Sequence, residues 1–253
     1  MRILGIIPAR YNSTRFPGKP LVEIKHKSMI QRVYEQALKA GCLSDVIVAT
    51  DDERILNHVT QFGGKAVMTS AAHKSGTERC LEAYQEITAD GSCFDIVINI
   101  QGDEPFINPD QIDKVAACFN KDDTQIASLA KIIRDKEELS NPNVVKLVID
   151  NDYKALYFSR YPIPYNRDNK ADDAITKNNY LKHVGIYAYR SEILQFICKL
   201  PPSKLELSES LEQLRWLENG YRISINLTDA ENIAIDTPDD LAKAEFFLDS
   251  INK

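Results

Sequence analysis

The sequence predicts an α/β fold: a mostly parallel (mixed) central sheet with flanking helices, plus a smaller mixed-sheet subdomain. Three observations predict it. Strand-like and helix-like segments alternate through the first half of the 253 residues. The run at 94–100 is nearly continuous in apolar residues, as a strand covered on both faces is. After about residue 125 the rhythm changes to strands with little helix between them. Repeated β-α-β order implies parallel neighbours with helices on both faces of the sheet.

The elements follow in order. Residues 3–7 are a buried-strand run, and residues 29–40 carry Met29, Val33, Ala37 and Ala40 at helical spacing. Residues 46–50 form a second strand, followed by a helix through Ile55, Val59 and Phe62. A third strand at 66–69 precedes a helix with Cys80, Leu81 and Tyr84, and residues 94–100 are a fourth strand. Asn108 as N-cap and Pro109 at the first helical position open a helix with Ile112, Val115, Ala116 and Phe119 on one side. Residues 126–133, 144–149, 155–159 and 184–189 then read as strands. One strong helix is expected with Leu207, Leu211, Leu214 and Leu217 on a single face and Gly220 ending it. Thr237-Pro238-Asp239-Asp240 starts the closing helix with a cap, a proline and an acidic first turn. The expected organisation is one body of 1–253. Residues 1–125 and 226–253 form its main part, and residues 126–225 the smaller mixed-sheet part.

Composition narrows the function classes. A net charge of −6 excludes a general nucleic-acid binder with a basic face. No long uncharged apolar run is present, so no membrane partner is expected. The apolar start is too short for a signal peptide and runs straight into Pro8-Ala9-Arg10. Five scattered cysteines without zinc or redox spacing fit a reducing cytoplasm, with Cys80 and Cys118 as small core residues.

The most informative stretch is Pro8-Ala9-Arg10-Tyr11-Asn12-Ser13-Thr14-Arg15-Phe16-Pro17-Gly18-Lys19-Pro20. It leaves the carboxyl end of the first strand, where open α/β sheets bind ligands. Arg10 and Arg15 can fork onto phosphate oxygens, and Lys19 supplies a compact charge. A solvated basic loop is the plain alternative. The glycine spacings of a Walker loop or a dinucleotide fingerprint are both absent. Asp103 follows the fourth strand, and Asp236 closes a predicted strand before the last helix. Two carboxylates at strand ends suit one hard cation. Read singly, Asp236 is equally a helix-start residue and Asp103 a turn residue.

The loop resembles the signature of the Kdo cytidylyltransferases (CMP-Kdo synthetases), sugar nucleotidyltransferases with a GT-A-like fold. The resemblance runs in order along nearly the whole chain. It includes Ala49-Thr50-Asp51, Met68-Thr69 with His73-Lys74-Ser75-Gly76-Thr77-Glu78-Arg79, and Asn99-Ile100-Gln101-Gly102-Asp103-Glu104-Pro105. It continues through Ala155-Leu156-Tyr157-Phe158-Ser159-Arg160, His183-Val184-Gly185-Ile186-Tyr187, Leu211-Glu212-Gln213-Leu214-Arg215 and Ile235-Asp236-Thr237-Pro238. Ala234 departs from the glycine common before the last motif.

The resemblance implies CMP transfer from CTP to Kdo for lipopolysaccharide synthesis, with Mg2+ on Asp103 and Asp236. It implies Arg10, Arg15 and Lys19 as catalytic cations, and nucleotide contacts from Pro8, Ala9, Arg10, Ser13, Lys19, Ala72, Ser75 and Gln101. For the sugar it implies Arg160, Arg167, His183, Tyr187, Glu212 and Gln213. A homodimer is implied in the same way. An 8-amino-Kdo or sialic-acid-like substrate, and a non-catalytic nucleotide-binding regulator, stay open at this point.

Overall fold

The computed structural model describes residues 1–12, 16–167, 180–231, 234–235 and 237–251. By contacts the chain divides into Met1–Asp113 with Glu231–Lys253, and Lys114–Ala230.

The first unit holds strands β1 (Ile3–Ala9), β4 (Asp45–Thr50), β5 (Ala66–Met68) and β6 (Ile96–Asn99), ordered β6-β1-β4-β5. Their pairings are parallel, with Leu4 opposite Asp45, Ile3 opposite Ile96 and Val48 opposite Ala66. Leu4, Ile6, Ile7, Val48, Ile96 and Val97 are fully buried, which is why these strands read as unbroken apolar runs. A two-residue hairpin, β2 (Glu23–Ile24) with β3 (Lys27–Ser28), leads into helix α1 (Met29–Ala37).

Each crossover helix starts on a side-chain cap. Ser28 accepts from Gln31 N–H at 3.2 Å to open α1. Asp52 accepts from Arg54 N–H at 2.9 Å to open α2 (Glu53–Gln61). Ser75 accepts from Glu78 N–H at 3.2 Å to open α3 (Gly76–Ile87). Asn108 does the same for Asp110 N–H at 3.0 Å, ahead of α4 (Pro109–Ala117). Each such cap is worth about 1 kcal/mol. The closing helix, Asp239–Ile251, begins as expected, with Thr237 N–H and Oγ1 donating to Asp240 at 3.1 and 2.9 Å. Its Ala244 packs with Ile24, Met29, Phe106 and Ile235, and the Phe106 and Phe247 rings lie 5.3 Å apart.

In the second unit β7 (Ile126–Ile132) lies between β11 (Ile223–Leu227), parallel to it, and β10 (Leu181–Arg190), antiparallel to it. Strand β8 (Lys146–Ile149) pairs with β10, and β9 (Ala155–Ser159) with β8, both antiparallel. A short helix, α5 (Lys136–Ser140), sits between β7 and β8. Lys146 is fully buried on β8, and its ammonium donates to the carbonyls of Asn141, Val144 and Arg160. Three donors meet three acceptors, so a charged group is tolerated inside.

The register of β10 shifts between Val184 and Tyr187, and this bulge gathers an aromatic cluster. The His183 ring lies 5.3 Å from Phe158 and 5.1 Å from Tyr187, and Tyr187 lies 5.1 Å from Trp216. His183 Nε2 is 2.8 Å from Ser128 Oγ.

The single leucine-faced helix expected over 207–217 is instead two helices, α7 (Lys204–Glu209) and α8 (Glu212–Glu218), after α6 (Ser191–Ile197). Ser203 and Glu206 form a capping box on α7. Ser210 then turns left-handed at φ 52° and breaks the run. Leu211 and Leu214 are buried, whereas Leu207 is 69% exposed. Arg215 spans the corner, its Nε donating to Glu206 at 2.8 Å. A 3.6-residue period continues through such a break, so spacing alone does not reveal it. Gly220, at φ 81°, ends α8 as expected.

Cys80 is fully buried, as expected, and burial pushes the half-buried Cys118 thiol up to about 11. Among the described residues no helix is long and apolar enough to cross a membrane.

Burial pushes His183 down to about 3 from an ordinary 6.5. The unfolded chain therefore binds a proton between those values that the folded chain refuses. Stability should be whole above about pH 6.5 and fall on acidification towards 3, by at most about 1.4 kcal/mol per unit from this group. Urea unfolding at pH 7 and pH 5 should show wild type losing about 1–2 kcal/mol more than His183→Gln. Equal losses in the two proteins would reject it.

Candidate active site

A cleft of about 240 Å³ opens in the first unit, at the carboxyl ends of β1 and β6. It is lined by Pro8, Ala9, Arg10, Lys19, Pro20, His73, Lys74, Ser75, Gly76, Arg79, Gln101, Gly102 and Asp103. Parallel pairing delivers these loops to one edge.

The loop after β1 closes on itself. Gly18 sits at φ 72° and donates its N–H to the Tyr11 carbonyl at 2.9 Å. A Cβ there would press on the Tyr11 ring at 3.2 Å, so both the conformation and the space favour glycine. Arg54 lies over that ring, 3.4 Å from its centroid. A short 3-10 turn, Lys19–Leu21, follows and directs Lys19 inward. Its ammonium donates to Asp103 Oδ2 at 2.9 Å, joining residues 84 apart in sequence.

Gly102 approaches β1 so closely that a Cβ would lie 2.6 Å from the Pro8 carbonyl. Real side chains do not fit there, so only glycine lets the Gln101–Asp103 turn reach the cleft. The amino end of α3 enters from the other side through Ser75 and Gly76, and the helix dipole favours an anion there. Arg79, almost wholly buried, donates to Thr69 Oγ1 at 2.6 Å and Asp51 Oδ2 at 2.9 Å. Its charge is offset, and the guanidinium is fixed as part of the wall.

Of the expected nucleotide and catalytic residues, Pro8, Ala9, Arg10, Lys19, Ser75, Gln101 and Asp103 meet in this cleft. Ala72 is exposed in the adjoining turn, its N–H given to Ser70 Oγ at 3.1 Å. Ser13, Arg15 and Asp236 lie outside the described residues. The neighbour of Asp236 is placed: Ile235 N–H donates to the Asp103 carbonyl at 3.0 Å. His73, Lys74, Gly76 and Arg79 line the cleft although their individual roles were not expected. The available signal was Ser75 three residues before Glu78, a helix start following a strand.

The expected sugar residues all belong to the second unit. His183 and Tyr187 are ring neighbours. The Tyr187 hydroxyl is buried without a hydrogen-bond partner among the described residues, and burial with the nearby Glu212 charge raises its pKa. Gln213 is buried beside Glu212 at the start of α8. Arg160 donates to the carbonyls of Glu209 at 2.7 Å, Pro142 at 3.0 Å and Ser210 at 3.2 Å. Of the five N–H donors in a guanidinium, these bonds use three among the described residues. Arg167 is exposed at the last described position before 168.

No group of three or more His, Cys, Asp or Glu among the described residues could hold a metal ion. Magnesium needs only one or two protein carboxylates, its other positions going to water and phosphate. Asp103 supplies hard oxygens at the cleft, and its carboxylate has lone pairs beyond those used by Lys19. The donor chemistry fits such an ion.

Comparison with known proteins agrees with this architecture. The family model for cytidylyltransferase matches residues 4–225. The chain is 54% identical to the 3-deoxy-manno-octulosonate cytidylyltransferase of Parabacteroides distasonis, covering 98% of both chains. It is 56% identical to the enzyme of that name from Bacteroides thetaiotaomicron, again over 98% of both. A solved structure of CMP:2-keto-3-deoxy-manno-octonic acid synthetase complexed with CTP matches with a TM-score of 0.90, at 42% identity over 99% of each chain. A 4-diphosphocytidyl-2C-methyl-D-erythritol synthase from Anaerococcus prevotii, 16% identical with a TM-score of 0.62, shares the fold. The nucleotidyltransferase-like fold expected from the sequence is the one observed. The chain belongs to the 3-deoxy-manno-octulosonate cytidylyltransferase family.

Proposed function

We propose that this chain transfers CMP from CTP to Kdo, releasing pyrophosphate and forming CMP-Kdo for lipopolysaccharide synthesis. The observation that carries this reading is the cleft itself. Arg10, Lys19, Lys74 and the amino end of α3 surround it, with one carboxylate, Asp103, held among the cations. A triphosphate with a divalent counter-ion suits that arrangement.

The reaction is an in-line displacement: the anomeric hydroxyl oxygen of Kdo attacks the α-phosphorus, and the bond to the β-phosphate breaks. Such transfers depend on positioning and charge stabilisation more than on covalent catalysis. Arg10 and Lys19, with Arg15 in the same loop, offset charge on the triphosphate and departing pyrophosphate. Ser75 spends a lone pair on Glu78 N–H and keeps its hydroxyl proton to donate. Asp103 and Asp236 would hold Mg2+, which supplies Lewis-acid polarisation of the phosphate when bound. In the second unit Tyr187, Glu212 and Gln213 offer donors and acceptors to sugar hydroxyls, and Arg167 with Arg160 suits the carboxylate. The working form is a cytoplasmic homodimer.

Three measurements test this. Pyrophosphate release should be fastest with CTP, Kdo and magnesium together; UTP should be a poor replacement, as should 8-amino-Kdo or sialic acid. Preference for either alternative sugar would reject the substrate, and no release from any pair would reject the enzyme. Asp103→Asn should lower turnover by about 10²–10³-fold while the thermal midpoint stays within a few degrees. Near-wild-type turnover would remove Asp103 from the chemistry. Lys19→Ala should raise KM for CTP about 10- to 100-fold, the worth of one charge-assisted contact; unchanged CTP kinetics would contradict its role.

A further inference from the structure

One wall of the cleft is the irregular segment 70–75, which contributes His73, Lys74 and Ser75. Having no ladder of its own, it is held from α3. Glu78 and Glu82 stand four residues apart on that helix, so both carboxylates project from one face. Glu82 Oε2 accepts from Ser70 N–H at 2.8 Å and also bonds His73 Nε2. Glu78 Oε2 accepts from Lys74 N–H at 2.8 Å and lies 3.8 Å from His73 Nδ1. His73 is thus clasped between two carboxylates and is one of the residues that line the cleft. Glu82 itself is not among the lining residues.

Acidic side chains beside an anion site need an explanation, because they oppose the ligand's charge. Here their oxygens are turned to backbone N–H groups and to His73. Partial burial alone would raise the Glu82 pKa, but bonds from Ser70 and His73 and the charges of His73 and Arg79 outweigh it and hold the carboxyl below its ordinary value. The carboxylate is therefore present throughout the neutral range.

Resting on the reading of this cleft as the CTP site, we infer that Glu82 is a positioning residue for the nucleotide. Through Ser70 and His73 it fixes the 70–75 wall without touching the ligand. Such preorganisation acts on affinity, since a wall already in place need not be ordered at binding. Its loss falls on CTP and spares the second substrate.

The test is steady-state kinetics of Glu82→Ala and Glu82→Gln, with the thermal midpoint of each. In Glu82→Ala, KM for CTP should rise about tenfold, kcat at saturating CTP fall less than twofold, and KM for Kdo stay unchanged. Glu82→Gln should recover KM for CTP to within about threefold of wild type. One oxygen of Glu82 serves both partners, and an amide oxygen can replace it. A KM for CTP within twofold of wild type in Glu82→Ala would overturn the assignment. So would equal rises for both substrates accompanied by a lowered midpoint, the mark of general destabilisation. If Glu82→Ala does not fold, Glu82→Asp withdraws the carboxylate by one methylene and carries the same expectation. Wild-type turnover with unaltered CTP affinity in the variants sinks the inference alone; no wild-type turnover sinks the reading beneath it as well.

Discussion

The parallel pairing of β1 with β4 and β6 is the constraint on which the site depends. Parallel neighbours point their carboxyl ends the same way, so the loops after residues 9, 50 and 99 leave from one edge. Strands buried on both faces carry apolar side chains on both sides of the sheet. Once that edge exists, local chemistry fills it. Gly102 lets one loop lie against the Pro8 carbonyl, Gly18 turns another back on Tyr11, and the Lys19–Asp103 ion pair joins them.

Charge in the cleft is arranged rather than accumulated. Arg79 and Asp51 neutralise each other within the wall, and Glu78 and Glu82 are spent on backbone N–H groups and His73. Arg10, Lys19, Lys74 and the start of α3 then face the open volume. Counting charges along the sequence would miss this, because Asp51, Glu78 and Glu82 serve the framework of the site. An overall charge of −6 is compatible with a locally cationic cleft for the same reason.

The second unit follows another logic. Its bulged β10 packs His183, Tyr187 and Tyr189 against Trp216 and Phe158, and burial keeps the imidazole neutral. Neutral donors and acceptors in an aromatic setting suit hydroxyl groups, whereas the first unit suits phosphate. The dense hydrogen bonding of Arg160 and Lys146 to carbonyls braces the same region. Cations there act in part as struts.

Apolar runs at strand length, the Asn108 cap, and the cationic loop after β1 are local features, and the sequence alone determined them. The fold class, the alternation of the first half and seven residues of the cleft were legible in that way, aided by motifs spread along the chain. The β2–β3 hairpin, α5, α6 and β11 were not read, and the strand expected to end at Asp236 is not strand at 234–235. What the sequence could not show was anything decided by contact between distant segments. The break at Ser210 leaves the leucine spacing intact, so one helix was expected where two are packed apart. Whether an acid near the site faces ligand or backbone, as for Glu82, depends on where Ser70 N–H lies. Spacing reports one segment's own period; pairing between segments far apart in sequence is settled only when the folded chain brings them together.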